Sequence, residues 1–175
     1  MLRKKKDPLR KGFEILRDVR LLKDKLSRIQ TRIDERAEEL TKKLVELQMK
    51  GDNYLSRRYA EEIANLKNLS KRLAVLMFIL DKVDLAVQHA IVRYEFNTLA
   101  TELSSLIREV GKLPETKIPD LGVLFADLEE NIRELSDMDY TDLPVVDYNP
   151  PTNSEVKAIL EEAKVALKEK LEPAS

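Results

Sequence analysis

From Leu9 onward, apolar side chains fall at Leu9, Phe13, Leu16, Val19, Leu22, Leu26, Ile29, Ile33, Ala37, Leu40, Leu44 and Leu47, every gap being three or four residues. This alternation over more than five heptads keeps one stripe facing a partner helix instead of letting it drift around the axis. A second seam of the same kind runs through Leu55, Tyr59, Ile63, Leu66, Leu69, Leu73, Leu76, Leu80, Val83, Val87, Ala90, Tyr94, Asn97 and Thr101. Between the two lies Gly51-Asp52-Asn53, where glycine ends one helix and Asp or Asn caps the next. A loop this short makes the helices antiparallel neighbours. A first helix of about 40 residues is about 60 Å long at 1.5 Å per residue. The second, expected from about 53 to 111, overshoots it and leaves an apolar stripe for another copy or a later helix to cover.

Gly111 and Pro114 end that helix, and Pro119-Asp120 opens a third to about residue 137. Leu143-Pro144 through Asn149-Pro150-Pro151 reads as an extended linker, and Asn153 or Ser154 caps a last amphipathic helix to about Leu171. The expected organisation is a basic leader (1–7), a helical hairpin core (8–113), an acidic third-helix region (114–142), a Pro-containing linker (143–153) and a C-terminal amphipathic helix (154–172). The fold class is therefore all-α, a long coiled-coil-like antiparallel hairpin followed by shorter helices. Four glycines, no tryptophan and an excess of good helix formers agree with it.

With no cysteine, the chain has no disulfides and no thiolate ligands, which fits a cytoplasmic protein. Its longest apolar run, Leu73 to Leu80, is far shorter than the roughly 20 residues that span a bilayer, and the leader lacks a signal peptide's apolar core. The net charge of −1 hides a polarity: residues 1–28 carry eleven Lys/Arg against four Asp/Glu, and residues 115–175 carry six against fifteen. Either the basic end seeks an anionic partner or the acidic end folds back on it.

Met1, Leu2, Arg3, Lys4, Lys5 and Lys6 set two apolar side chains beside four cations, a leader suited to an anionic membrane interface, with Arg10 and Lys11 continuing the charge. At about 1 kcal/mol per basic residue, the four leader cations supply roughly 4 kcal/mol, about millimolar affinity, so only an array of copies would hold firmly. Arg17, Arg20, Lys23, Lys25 and Arg28 extend the positive face, either toward lipid or toward the acidic helices. Leu76, Leu80, Val83, Val87, Ile91 and Tyr94, on the overshooting helix, are the candidate polymer contacts. The pI near 6.0 and the absence of an aromatic platform argue against nucleic acid. His89, the one histidine, has no partner for a metal site, and Asp81 with Asp84 reads as solvated charge. No phosphate-binding glycine loop, nucleophile elbow or zinc spacing is present, so neither enzymatic activity nor a cofactor is expected.

The leader and first helix (KKKDPLRKGFEILRDVRLLKDKLSRIQTRIDERAEEL), the stretch RRYAEEIANLKNLSKRLAVLMFILDKVDLAVQHA and the terminal NSEVKAILEEAKVALKEKL resemble the archaeal CdvB branch of the ESCRT-III family. That resemblance implies a non-enzymatic cytoplasmic subunit that polymerises, with related paralogues, on the inner face of the cell membrane during division or budding. It also implies an AAA-type ATPase as disassembly partner, and the absence of a winged-helix tail fits a short paralogue. Leu167-Lys168-Glu169-Lys170-Leu171 resembles the ATPase-docking motif, with Lys170 where the family has Arg, but the chain continues Glu172-Pro173 where the motif has Leu and a basic residue. Leu160, Leu167, Lys170 and Leu171 therefore carry two readings, ATPase docking or autoinhibitory packing on the hairpin. The Leu143 to Pro151 stretch is an alternative docking segment. The other function consistent with the sequence is a soluble coiled-coil scaffold or adaptor whose basic N-terminus binds a protein or nucleic acid.

Overall fold

The computed structural model describes residues 7–138 and 154–172, and every regular element among them is helical. Asp7 opens α1 (Pro8–Met49): its carboxylate accepts from the Leu9 amide at 3.0 Å, and Pro8 occupies a position where a missing N–H is no loss. Gly51, at φ 76°, turns the chain, and the Asp52 carboxylate accepts from the Leu55 amide at 3.1 Å to start α2 (Asn53–Arg93). The two helices hold 42 and 41 residues, so the arms are matched at about 60 Å. The long antiparallel hairpin is as the two seams predict.

The second helix does not continue to residue 111. Tyr94 takes a left-handed backbone at φ 55°, and a separate α3 (Phe96–Val110) begins beyond Glu95. No glycine or proline marks the break, so the repeat reads through it. For a residue other than glycine this conformation costs roughly 1–2 kcal/mol. Phe96 offsets it: its ring is fully buried, lies edge-on to Tyr94 at 5.8 Å, and fits the space left by the missing side chain of Gly12. Fully burying such a ring contributes about 1.5–3 kcal/mol. From there α3 runs back along α2, and Glu115, beyond its end, reaches Arg72.

A 3-10 turn over Pro114–Lys117 leads into α4 (Pro119–Ser136), and after the undescribed segment comes α5 (Glu155–Lys170). α4 lies along α1 and antiparallel to it, pairing Asp120 with Lys25 at one end and Glu134 with Lys11 at the other. α5 lies along α2 and α3, its start beside His89 and its end beside Arg72. The core therefore gathers at one end of the hairpin, between residues 8–33 of α1 and 69–91 of α2, under α3, α4 and α5.

Of the two covers the sequence allows for the α2 stripe, another copy or a later helix, the later helices are the ones seen: Leu73, Leu76, Ile79, Leu80, Val83, Ala86, Val87 and Ala90 are fully buried. Phe13, assigned to the seam, is instead 54 % exposed, while Ile15 is fully buried, because α1 packs against both α2 and α4 and its buried face is rotated and widened. Replacing Phe96 with Ala should remove the anchor of the α2–α3 reversal and cost about 3–5 kcal/mol of folding stability, read as a lower urea midpoint.

Candidate functional site

Ion pairs between the hairpin and the returning helices mark where the chain is held shut. Along α1, Lys11 is drawn into a pocket formed by Glu14, Glu134 and the Asn131 side-chain carbonyl, with only 11 % of its side chain exposed. Burial pulls its ammonium toward lower pKa, but the hydrogen bonds to Glu134 and Glu14 outweigh that and raise it. Lys25 meets Asp120 at 3.4 Å. Arg20 and Lys23 turn instead to α2, where Arg20 reaches Asp84 at 3.3 Å and Lys23 bridges Asp81 at 2.7 Å and Asp84 at 3.5 Å. Asp84 is thus a buried interhelix partner and not a solvated charge, whereas Asp81 keeps half its side chain in water.

α5 is fastened to α2 and α3 along its length. Ser154 caps it through a 3.4 Å bond from the Lys157 amide and donates to Glu95 at 3.1 Å. Glu155 sits 2.9 Å from His89, Glu162 meets Lys82 at 2.6 Å, and Lys164 meets Glu102 of α3 at 2.6 Å. At the far end the Arg72 guanidinium spans three elements: it forks onto the buried Glu115 carboxylate and donates through Nη2 to the Leu171 carbonyl at 3.2 Å. Burial pushes the Glu115 carboxyl up, and the Arg72 hydrogen bonds reverse the shift and hold it below the usual carboxylate range.

The residues named from sequence divide accordingly. Met1 to Lys6 lie outside the described residues, as does the Pro-rich stretch 143–151. Arg10 is exposed, 3.8 Å from Glu14, while Lys11 is occupied as above and faces no lipid in this conformation. Of the candidate polymer contacts, Leu76, Leu80, Val83 and Val87 are fully buried within the subunit, Ile91 is half-buried against Gly12, and Tyr94 is 40 % exposed. In the last helix Leu160, Leu167 and Leu171 are buried in the core and Lys170 points to solvent. Their apolar side chains pack against the hairpin. Arg72, Glu115, Asp18 and Asn131 were not singled out from sequence, because each partner lies on another helix and leaves no local spacing. Among the described residues no cluster of His, Asp and Glu could hold a metal ion, and no helix is long and apolar enough to cross a membrane.

Fold and contacts together define a helical-hairpin protein whose later helices, the acidic α4 among them, are clasped to its own hairpin. The chain is similar to Cell division protein B1 of Sulfolobus acidocaldarius, with 26% identity over 176 aligned residues, covering 96% of this chain and 79% of that protein. No protein-family model matches the chain, and no solved structure matches it.

The clasp is testable at Arg72. Arg72→Met leaves the Glu115 carboxylate buried without its cation, which should cost about 3–5 kcal/mol, whereas pairing it with Glu115→Leu should recover most of that loss. Urea midpoints of the two single variants and the double variant measure the coupling.

Two buried aspartates should respond to pH with opposite sign. Burial between α1 and α4 raises the Asp18 carboxyl, with the charges of Asp127 and Glu14 adding to it, against the Asn131 amide and Arg17. The folded state then holds this proton more tightly than the unfolded chain, so Asp18 lowers stability increasingly as pH rises from the unfolded carboxylate value through the folded one. Burial also pushes Asp84 up, but hydrogen bonds from Gln88 and Arg20 and the charge of Lys23 outweigh it and lower the carboxyl. Asp84 therefore adds stability above the ordinary carboxylate range that is lost as pH falls through its folded value. Asp18→Asn should raise the melting temperature at pH 7 by an amount that shrinks toward pH 4. Asp84→Asn should lower it, with the deficit persisting down to about pH 4.

Proposed function

We propose that the chain is a filament-forming ESCRT-III-like subunit for membrane remodelling in archaeal cell division, a structural protein that leaves any ATP hydrolysis to a partner. The observation that carries this reading is the similarity to an archaeal cell-division protein along 96% of the chain, in a molecule whose basic first helix pairs with the acidic α4. Division has to deform a membrane, and with no helix among the described residues long and apolar enough to cross one, the chain would act from the surface, through many weak contacts held in one array.

In this reading the leader Met1–Lys6 meets anionic headgroups on the inner face of the cell membrane, and copies of the chain with related paralogues supply the array. Release of α3 to α5 from the hairpin would bare Leu76, Leu80, Val83 and Val87 for contact with neighbours. The same release frees Leu160, Leu167 and Leu171, the side chains an AAA-type ATPase would grip to dismantle the polymer.

Sedimentation with anionic vesicles, combined with electron microscopy of the pelleted material, tests the proposal. Binding should fall steeply as salt rises from 50 to 500 mM, drop at least tenfold when residues 1–6 are deleted, and be accompanied by ordered filaments on the vesicles. A full-length chain that stays monomeric and indifferent to anionic vesicles at every salt concentration would overturn it in favour of a soluble scaffold.

A further inference from the structure

Two exposed surfaces on different flanks of the closed subunit carry matching apolar patterns and opposite charge. On α1, away from both α2 and α4, Arg10, Phe13, Arg17 and Leu21 follow one another at steps of three and four. Phe13 is 54 % and Leu21 48 % exposed, and the two rim a depression of about 330 Å³ with Arg17 and Arg20 at its sides. Arg17 makes no ion pair among the described residues, Arg10 lies a long 3.8 Å from Glu14, and Asp24 is engaged by Arg28 at 3.1 Å.

The second surface is the groove of about 660 Å³ between α2 and α5. Its floor is apolar, with Val75 and Phe78 from one helix and Val165 and Ala166 from the other, and Phe78 and Val165 are 44 % and 50 % exposed. Its rim carries Glu161, Glu162 and Glu169 against Lys170 and Lys82, whose ammonium lies 5.4 Å over the Phe78 ring. Lys82 is held by Glu162, and Lys164 binds Glu102 at 2.6 Å more closely than Glu161 at 3.7 Å. Glu169 makes no ion pair among the described residues. Glu161, Val165 and Glu169, one per turn, present acid, apolar and acid, where α1 presents cation, apolar and cation in Arg10, Phe13 and Arg17.

We propose that copies of the closed subunit join head to tail, the α1 arginine face of one seated in the acidic α2–α5 groove of the next. The contact deepens the filament reading and rests on it. An anionic bilayer would suit the arginine face but be repelled by the groove, whereas a sister copy accounts for both surfaces at once. Because the two surfaces are unlike, every contact leaves one of each unoccupied at the ends, and such a heterologous interface propagates into a line of subunits unless it closes into a ring. Closed subunits can then assemble without first releasing α5, which itself forms one wall of the groove.

Charge exchange in the full-length chain tests the pairing. Arg10→Glu/Arg17→Glu makes both surfaces acidic, and Glu161→Lys/Glu169→Lys makes both basic. Each variant should stay monomeric in sedimentation velocity at ten times the concentration at which the wild type assembles, and an equimolar mixture should assemble again because each surface now finds its opposite. Phe13→Ser, at an exposed position, should weaken assembly without altering the charge. Circular dichroism with unchanged melting verifies that all variants fold. If each charge variant assembles alone like the wild type, or if the folded pair fails to co-assemble, the head-to-tail contact is wrong and the filament reading stands. An Arg10→Glu/Arg17→Glu variant that assembles normally but loses anionic vesicles would assign the face to lipid and also overturn the contact. A wild type that never assembles removes both proposals.

Discussion

Burial of the α2 stripe from Leu73 to Ala90 is the constraint on which everything else in this molecule depends. A two-helix hairpin can cover only one side of such a helix, and here the fully buried positions include Ile79 and Ala86 as well as the seam residues Leu76, Leu80, Val83 and Val87. A helix apolar over so wide an arc needs neighbours on more than one side. The chain supplies them itself by reversing at Tyr94 and bringing α3 and then α5 against α2. At about 1.5–3 kcal/mol for each large side chain buried, the returning helices gain far more than the left-handed residue at the reversal costs. Beyond residue 34 the hairpin has no such cover, and only Ala37, Leu40 and Ile63 are buried there. One half of the hairpin is a five-helix bundle and the other is a two-stranded arm ending in exposed Met49 and Tyr54.

Charge follows the same division of labour. The basic segment of α1 does not form a uniformly solvated face, because Lys11 and Lys25 hold α4 while Arg20 and Lys23 fix the register of α2. What remains outward is the narrower set around Arg10, Arg17 and Arg28. Ion pairs exposed to water contribute little individually, so the clasp is directed by charge and held by Leu160, Leu167 and Leu171 beneath it. Arg72 differs, since its partner Glu115 is only 5 % exposed, and losing either member strands the other.

The hairpin was legible in the sequence because heptad spacing and the Gly51-Asp52 punctuation are local signals that act through neighbours three and four residues apart. The α4 and α5 boundaries were legible for the same reason, through Pro119 and Ser154. The reversal at Tyr94 was not, because the repeat runs unbroken from Ala90 through Tyr94 to Asn97 and what ends the helix is the packing of Phe96 on Gly12, more than eighty residues earlier. Phe13 was misassigned by the same limitation. Spacing shows that a stripe exists but not that a third helix will rotate the buried face toward Ile15. Arg72, Glu115, Asp18 and Asn131 depend on partners far along the chain and carry no periodic signal at all.

In the proposed head-to-tail contact, assembly and disassembly would be coupled through α5. α5 covers the α2 stripe with one face and forms a wall of the acidic groove with another, through Val165 and the flanking Glu161 and Glu169. A contact on that outer face, as proposed, would press α5 onto the hairpin and so stabilise the clasped state by linkage. Pulling α5 away removes the groove and bares the stripe in the same step. In the proposed assembly, a line of closed subunits and a polymer of opened ones would be alternatives selected by the position of one helix of 16 residues.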